Sequence, residues 1–321
     1  MHFIVSLLFF SLSSFCKVAP FLPKHSIQNL KAFDEDLDSS FIQTTQNSLV
    51  FSHGLKKKTL FKEQADQQFQ IFNNNKNWVL IERSADFIED INFRKKNEYF
   101  IATTDAQKLQ KIGDGNFGQI HANGKYISLI NFQRDSIDIY STFTKKRVKL
   151  ISRNSRKNPL SIPQVKITQS GDIFYTLKDQ SNRDVLYYVS SKNKKTKLYT
   201  TKNPTHHLKT CLDSKENLFV KVSHIQSSDK SRSFILDSSL QPLYSTSSKL
   251  AGNIICLGNK VYFVQENEVI SELHPKRFST LEFDLEKNEV LKIFEKDSFI
   301  HMIQQGGKVY FLSEGKYYKL L

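Results

Sequence analysis

Asn123-Gly124-Lys125-Tyr126-Ile127-Ser128-Leu129-Ile130 and Ser170-Gly171-Asp172-Ile173-Phe174-Tyr175-Thr176-Leu177 decide the fold: each is a short polar turn that opens into an apolar strand. The same step recurs along the chain, with strands beginning at Trp78, Tyr126, Ile173, Leu218, Val261 and Val309, spaced 48, 47, 45, 43 and 48 residues apart. A second series keeps time with it, because Leu109, Leu150, Leu198, Leu243 and Leu291 are spaced 41, 48, 45 and 48 apart. A period in the forties built of short strands is the signature of a β-propeller, in which each repeat is one four-stranded blade. Gly and Asn fall in the turns because a short hairpin needs positive φ. The expected fold is therefore all-β, a single six- or seven-bladed propeller of four-stranded antiparallel blades.

Composition agrees. Of 321 residues, 39% are hydrophobic and 24% charged, which suits a chain with a real core rather than a disordered one. The 26 Phe and 12 Tyr fit strands that pack on both faces, as stacked blades require.

Residues 3–15 are almost wholly apolar or Ser, and polarity rises sharply from Lys17. Thirteen residues are too few to span a bilayer core but match the apolar centre of a secretory signal peptide. The reading is a signal peptide over 1–16, a linker or short cap over 17–40 and the propeller over 41–321, with a secreted or periplasmic location. Cys211 and Cys256 then remain, seven and five residues ahead of the recurring strand starts Leu218 and Val261. Offsets that differ by two put both side chains on the same strand face. They read as small core positions in successive blades, with a disulfide between adjacent inner strands as the alternative in an oxidising compartment.

The pieces Asn123-Gly124-Lys125-Tyr126, Ser170-Gly171-Asp172-Ile173 and Gly306-Gly307-Lys308-Val309 resemble the loose repeats of bacterial-type propellers, including the TolB-like and NHL-type families. The resemblance spans nearly the whole mature chain and implies the fold, not a ligand. Ile112-Gly113-Asp114-Gly115-Asn116-Phe117-Gly118 imitates the phosphate loop of a protein kinase. The rest of that constellation is missing, since no Ala-x-Lys strand, His-Arg-Asp loop or Asp-Phe-Gly segment follows. The glycines instead sit where one blade hands over to the next. No Gly-x-Ser-x-Gly is present, which excludes the nucleophile elbow of an α/β-hydrolase. His206-His207 lacks a third ligand, so no metal, cofactor or catalytic residue is assigned.

Charge points to a partner. The net charge is +14, and Lys76, Lys125, Lys215, Lys260 and Lys308 recur in the turn between first and second strands. Lys145, Lys146 and Arg147, then Lys192, Lys194 and Lys195, fill the turn between third and fourth strands. Both turns leave a blade on the same side, so one face should be broadly cationic and attract polyanions at long range. On the opposite side, with the long loops 82–98 and 265–280, Arg134, Arg183, Arg232 and Arg277 precede successive third strands at spacings of 49, 49 and 45. Arg134-Asp135 and Arg183-Asp184 suggest salt bridges within a blade, with a ligand clamp as the alternative. The sequence thus reads as an exported binding or scaffolding module for a protein, an anionic glycan or lipid headgroups, with nucleic acid a poor partner. The rival is a propeller-type lyase or lactonase with its site at the mouth of the central channel. That would need inward carboxylates, His or metal ligands, where the inner strands offer apolar residues, Thr210, His121 and His301.

Overall fold

Successive side chains of a strand point to opposite faces, and in this chain the inner strands bury both. Every residue after the first is buried in Tyr126–Asn131, and Leu218–His224 is buried throughout. The outermost strands differ: Arg147–Ser152 buries only Ile151, and Lys195–Thr200 buries none. Sheets that are covered on both faces inside and open at one edge are blades, and the fold is an all-β propeller of four-stranded antiparallel blades. The structure is a computed structural model. It describes backbone for residues 18–21, 40–45, 48–53, 56–62, 68–75, 78–84, 97–103, 109–121, 124–153, 162–224, 232–267, 277–305 and 308–320. Side chains are described from residue 80 onward within those ranges, apart from 84, 102, 103, 305 and 317. The expected signal-peptide segment 1–16, most of the long loops (85–96 and 268–276) and Lys76 lie outside the described residues.

The chain divides into two compact units, residues 23–200 and residues 1–22 with 201–321. Strand β1 (Val18–Phe21) belongs to the second. In the first unit, β2 (Ser40–Thr45), β3 (Ser48–His53) and β4 (Lys56–Lys62) form a three-stranded sheet. Next, β5 (Gln68–Asn75), β6 (Trp78–Ser84), β7 (Asn97–Thr103), β8 (Leu109–His121), β9 (Tyr126–Asn131), β10 (Ser136–Ser141) and β11 (Arg147–Ser152) make one seven-stranded sheet in sequence order. Then β12 (Val165–Ile167), β13 (Ile173–Lys178), β14 (Asp184–Val189) and β15 (Lys195–Thr200) form a four-stranded sheet.

In the second unit, β16 (His206–Leu212), β17 (Leu218–His224), β18 (Ser233–Leu236) and β19 (Pro242–Thr246) form one sheet. Its neighbour is β20 (Lys249–Leu257), β21 (Lys260–Asn267), β22 (Arg277–Asp284) and β23 (Glu289–Lys296). The last sheet joins β24 (His301–Gln305), β25 (Lys308–Ser313) and β26 (Lys316–Leu320) to β1, which pairs with β26 from Val18↔Leu320 to Phe21↔Tyr317. Part of the expected linker over 17–40 is therefore a strand, and the two chain ends share one blade.

Alternation explains how the sheets of this unit stack. Ile254, Cys256, Val261 and Phe263 face a cluster with Cys211, Phe219 and Ile235 of the preceding sheet. Ala251, Ile255, Tyr262 and Val264, the intervening or adjoining positions, face Ile300, Met302, Val309 and Phe311 of the following one. Cys211 and Cys256 are joined as a disulfide with Cα atoms 5.6 Å apart, fastening β16 to β20 inside the first of these clusters.

Both repeat series hold: the recurring strand starts open or nearly open the second strands β6, β9, β13, β17, β21 and β25, and each leucine lies on an outer strand. The blade count needs correction. Among the described residues five sheets carry four or more strands, and these are five blades, not six or seven. The physical reason is β8. Its residues 109–115 pair with β7 as an outer strand, and residues 116–121 pair with β9 as an inner strand. Two repeats are thereby fused into one sheet. The earliest repeat, β2 to β4, has three strands among the described residues.

Candidate functional site

The glycine-rich stretch that imitates a phosphate loop is the handover strand β8, and its glycines make room for rings. A Cβ on Gly118 would lie 2.4 Å from Cε1 of Tyr99, and one on Gly113 would lie 2.7 Å from the Tyr140 hydroxyl. Tyr99 is fully buried; its phenol donates to Glu82 and accepts from the Gly118 amide at 3.1 Å. Asn97 donates to the other Glu82 oxygen at 2.6 Å. Burial raises the Glu82 carboxyl above its usual range, against the pull of those two donors. These groups are spent on one another and form a structural network.

The turns of the first unit that leave on the same side as the Asn123-Gly124 turn are tied together. Thr142 donates its amide to the Lys125 carbonyl at 3.1 Å, and Lys125 Nζ reaches the Gln169 carbonyl at 2.6 Å. The Ser191 amide donates to Asp172 Oδ1 at 2.7 Å, and Lys149 Nζ reaches the Ser190 carbonyl at 3.0 Å. The β8–β9, β10–β11, β12–β13 and β14–β15 turns thus share one face, as the strand order requires. Three other turns, β13–β14, β16–β17 and β18–β19, are built alike. Asp179 takes the amides of Ser181 and Arg183, Asp213 those of Lys215 and Asn217, and Asp237 those of Ser239 and Gln241. The fourth residue of each turn has positive φ: Asn182 (59°), Glu216 (66°) and Leu240 (61°). The Asp side chain holds the turn closed, so Gly is not needed there.

On that face the expected cations divide. Lys145 folds back on the Thr142 carbonyl, and Arg147 lies 3.7 Å from the buried Asp138. Lys195 lies over the rings of Tyr187 and Tyr175, at 4.4 and 5.5 Å. Lys146, Lys192 and Lys194 are exposed, and their ammonium groups have no carboxylate within ion-pair reach among the described residues. The second unit departs from a broadly cationic face. Lys260 is paired with Glu282 at 2.7 Å. Lys215 borders a cleft of about 630 Å³ whose rim carries Asp213, Asp237 and Glu286 over a floor of Phe219, Leu243 and Leu285. In the first unit, these three lysines without an ion-pair partner on this face, among the described residues, stand on the β10–β11 and β14–β15 turns.

The arginine row pairs differently from its sequence neighbours. Arg183 holds Asp179 through Nε (2.9 Å) and Nη2 (2.8 Å), while Asp184 takes Lys178 at 2.7 Å. Arg134 lies 3.8 Å from Asp138, and Asp135 faces Arg153 at the same distance. Arg134 and Asp135 both lie in the turn between β9 and β10, where Asp135 has positive φ (52°), and neither Arg134 nor Arg183 is paired with the Asp beside it. Arg277 meets Asp297 at 3.1 Å, both exposed, and Arg232 is exposed with no carboxylate partner among the described residues.

The buried histidines and Lys221 have local partners. His121 bonds Ser128 at 2.8 Å, and burial lowers its pKa to about 3. His206 bonds Asn203 at 2.6 Å and His224 bonds Ser233 at 2.9 Å. Lys221, fully buried on β17, donates to the carbonyls of Leu250 (3.2 Å), Ala251 (2.8 Å) and Gly252 at the β20 bulge. Among the described residues no group of three or more His, Cys, Asp and Glu is placed to hold a metal ion, and no helix is long and apolar enough to cross a membrane.

The arrangement has counterparts among solved structures. The chain is similar to the tricorn protease, with a TM-score of 0.54 and 12% identity over 89% of this chain and 33% of that one. It spans about a third of that protease. It is similar to virginiamycin B lyase from Staphylococcus aureus, with a TM-score of 0.51 and 12% identity over 94% and 98% of the two chains. The β-propeller domain of the Trilobed protease from Pyrococcus furiosus follows at 0.53 and 9%, over 88% and 91%. At these identities the likeness is one of fold, and the resemblance to bacterial-type propellers holds at that level. No protein-family profile matches the chain, and no curated protein sequence does.

The sequence reading passed over two features that bear on the site. One is Phe143 at the tip of the β10–β11 turn, 90% exposed, which was visible as a lone apolar residue between Thr142 and Thr144. The other is the Asp-headed turn, whose signal was the spacing of Asp to its fourth following residue in Asp179–Arg183, Asp213–Asn217 and Asp237–Gln241.

Proposed function

We propose that this chain is an exported β-propeller that acts as a binding or scaffolding module and takes an anionic partner on the turns of β10–β11 and β14–β15. The observation that carries the reading is the set of exposed ammonium groups of Lys146, Lys192 and Lys194, with no carboxylate in reach among the described residues. Lysines placed only for solubility are commonly interspersed with acidic groups, as Lys111 is with Glu98 and Asp114 at 2.7 and 2.8 Å. Here like charges stand on two hairpins of one unit, and the one carboxylate described beside them, Asp172, is held by the Ser191 amide at 2.7 Å; such a field draws in polyanions. Export is supported by the apolar segment 3–15 and by the Cys211–Cys256 bond, since disulfides persist in oxidising compartments. The lyase reading has no observation in its favour beyond fold, because protease propellers are equally similar.

Heparin binding tests this. Affinity should fall steeply as salt rises from about 0.05 to 0.3 M, because exposed charges are screened. Changing Lys145, Lys146, Arg147, Lys192, Lys194 and Lys195 together to Gln should abolish binding and leave the melting temperature within a few degrees of the parent. Unchanged binding assigns the charge to solubility alone. For export, protein isolated from its host should begin near Lys17; retention of Met1 overturns that half of the proposal.

A further inference from the structure

Phe143 is the most exposed large hydrophobic residue among those described, at 90%, and Val148 (52%) and Leu150 (48%) lie on the same hairpin. Three of the six large hydrophobics exposed in this way therefore fall within eight residues. The tip reads Ser141-Thr142-Phe143-Thr144-Lys145-Lys146-Arg147, an aromatic ring followed, after one threonine, by three cations. Lys192 and Lys194 stand on the neighbouring β14–β15 turn of the same face, and that turn, Ser190 to Lys194, carries no apolar residue. Apolar exposure and free positive charge thus coincide at one hairpin.

We infer that this hairpin docks the protein on a lipid bilayer rich in acidic headgroups, with the Phe143 ring inserted at the level of the acyl-chain boundary. The inference rests on the anionic-partner reading above and names the partner's chemistry. A sulfated glycan or an acidic protein surface would satisfy the lysines and leave the phenyl ring in water. A bilayer satisfies both, because aromatic and aliphatic side chains enter the interface while Lys and Arg stay at the anionic headgroups. The long stem of Lys146 allows the ring to sink while its charge remains among the phosphates. The tip is narrow, polar on both sides of the ring and already closed by the turn of Lys145 (φ 58°), so insertion requires no rearrangement of the blade.

Vesicles of phosphatidylcholine alone and of phosphatidylcholine mixed with phosphatidylglycerol decide it. The full-length protein should sediment with the acidic vesicles and not with the neutral ones. F143S should weaken vesicle binding about tenfold to a hundredfold, the range expected for one buried phenyl ring, while heparin binding stays as in the parent. F143W should shift its emission to the blue on acidic vesicles and be quenched by brominated acyl chains, beyond any change shown by Trp78 in the parent. Vesicle binding by F143S at parental strength, or an F143W emission indifferent to lipid, overturns the inference. So does heparin binding by a protein that ignores acidic vesicles, an outcome that leaves the anionic-partner reading standing. Failure to bind either probe overturns both.

Discussion

At the scale of single residues, close approach and burial decide what each position tolerates. Gly118 and Gly113 both face tyrosine rings, but their neighbours are not equally free to move. Tyr99 is fully buried and held through its hydroxyl by Glu82, whereas Tyr140 is partly exposed. Gly118→Ala should therefore cost about 1–3 kcal/mol, as overpacking of a closed core does, and more than Gly113→Ala; chemical denaturation of both variants checks the order. Lys221 supplies the pH-dependent element. Burial first, then the charges of Lys209 and Lys249, lower its pKa from 10.5 to about 7, with three carbonyls accepting its protons. Between those values the unfolded chain binds the proton that the folded chain has given up, so stability climbs with pH and the penalty is complete below about 7. Melting curves from neutral to alkaline pH should show this climb in the parent, and Lys221→Met should flatten it. A parallel climb in the variant would assign it to other groups.

At the scale of elements, the turns and the cross-links between sheets set local stability. In the β13–β14 turn, Asp179 accepts two backbone amides and the Arg183 guanidinium, whereas Arg183 contributes a partly exposed ion pair. Asp179→Ala should cost about 1–2 kcal/mol, since it leaves turn amides without their acceptor, and Arg183→Ala no more than about 1 kcal/mol. Arg134→Ala, whose contact with Asp138 is 3.8 Å long, should melt like the parent. A larger loss for Arg183→Ala than for Asp179→Ala contradicts this account of the turn. The Cys211–Cys256 bond closes a loop across 45 residues between β16 and β20. Cys256→Ser should cost about 2–4 kcal/mol. Maleimide should leave Cys211 and Cys256 of the urea-unfolded, unreduced protein unlabelled; labelling at either position means that the bond is absent.

At the scale of the whole molecule, a net charge of +14 with lysines left free of carboxylates makes the folded state self-repelling at low ionic strength. The melting temperature should rise as sodium chloride goes from about 10 to 150 mM, and a fall would mean that attractive pairs dominate. The sequence by itself determined the strand order, the inner and outer positions and the propeller class. Period-two burial and a repeat in the forties are properties of the chain read locally, and Tyr126, Ile173, Leu218 and the leucine series landed where the pattern put them. Tertiary structure alone decided which partners met. The Asp nearest in sequence to Arg183 points away from it, so only the folded turn reveals Asp179 as its partner. Lys260 belongs by sequence to the series of turn lysines, and only the folded sheet brings Glu282 of β22 alongside it. The five-blade count came from β8 passing unbroken between two repeats, and no spacing of apolar residues records whether a strand continues or breaks at a handover. Phe143 stands in plain sight in the sequence, but its exposure beside the cations of a second hairpin is fixed by how two sheets present their turns to the same side.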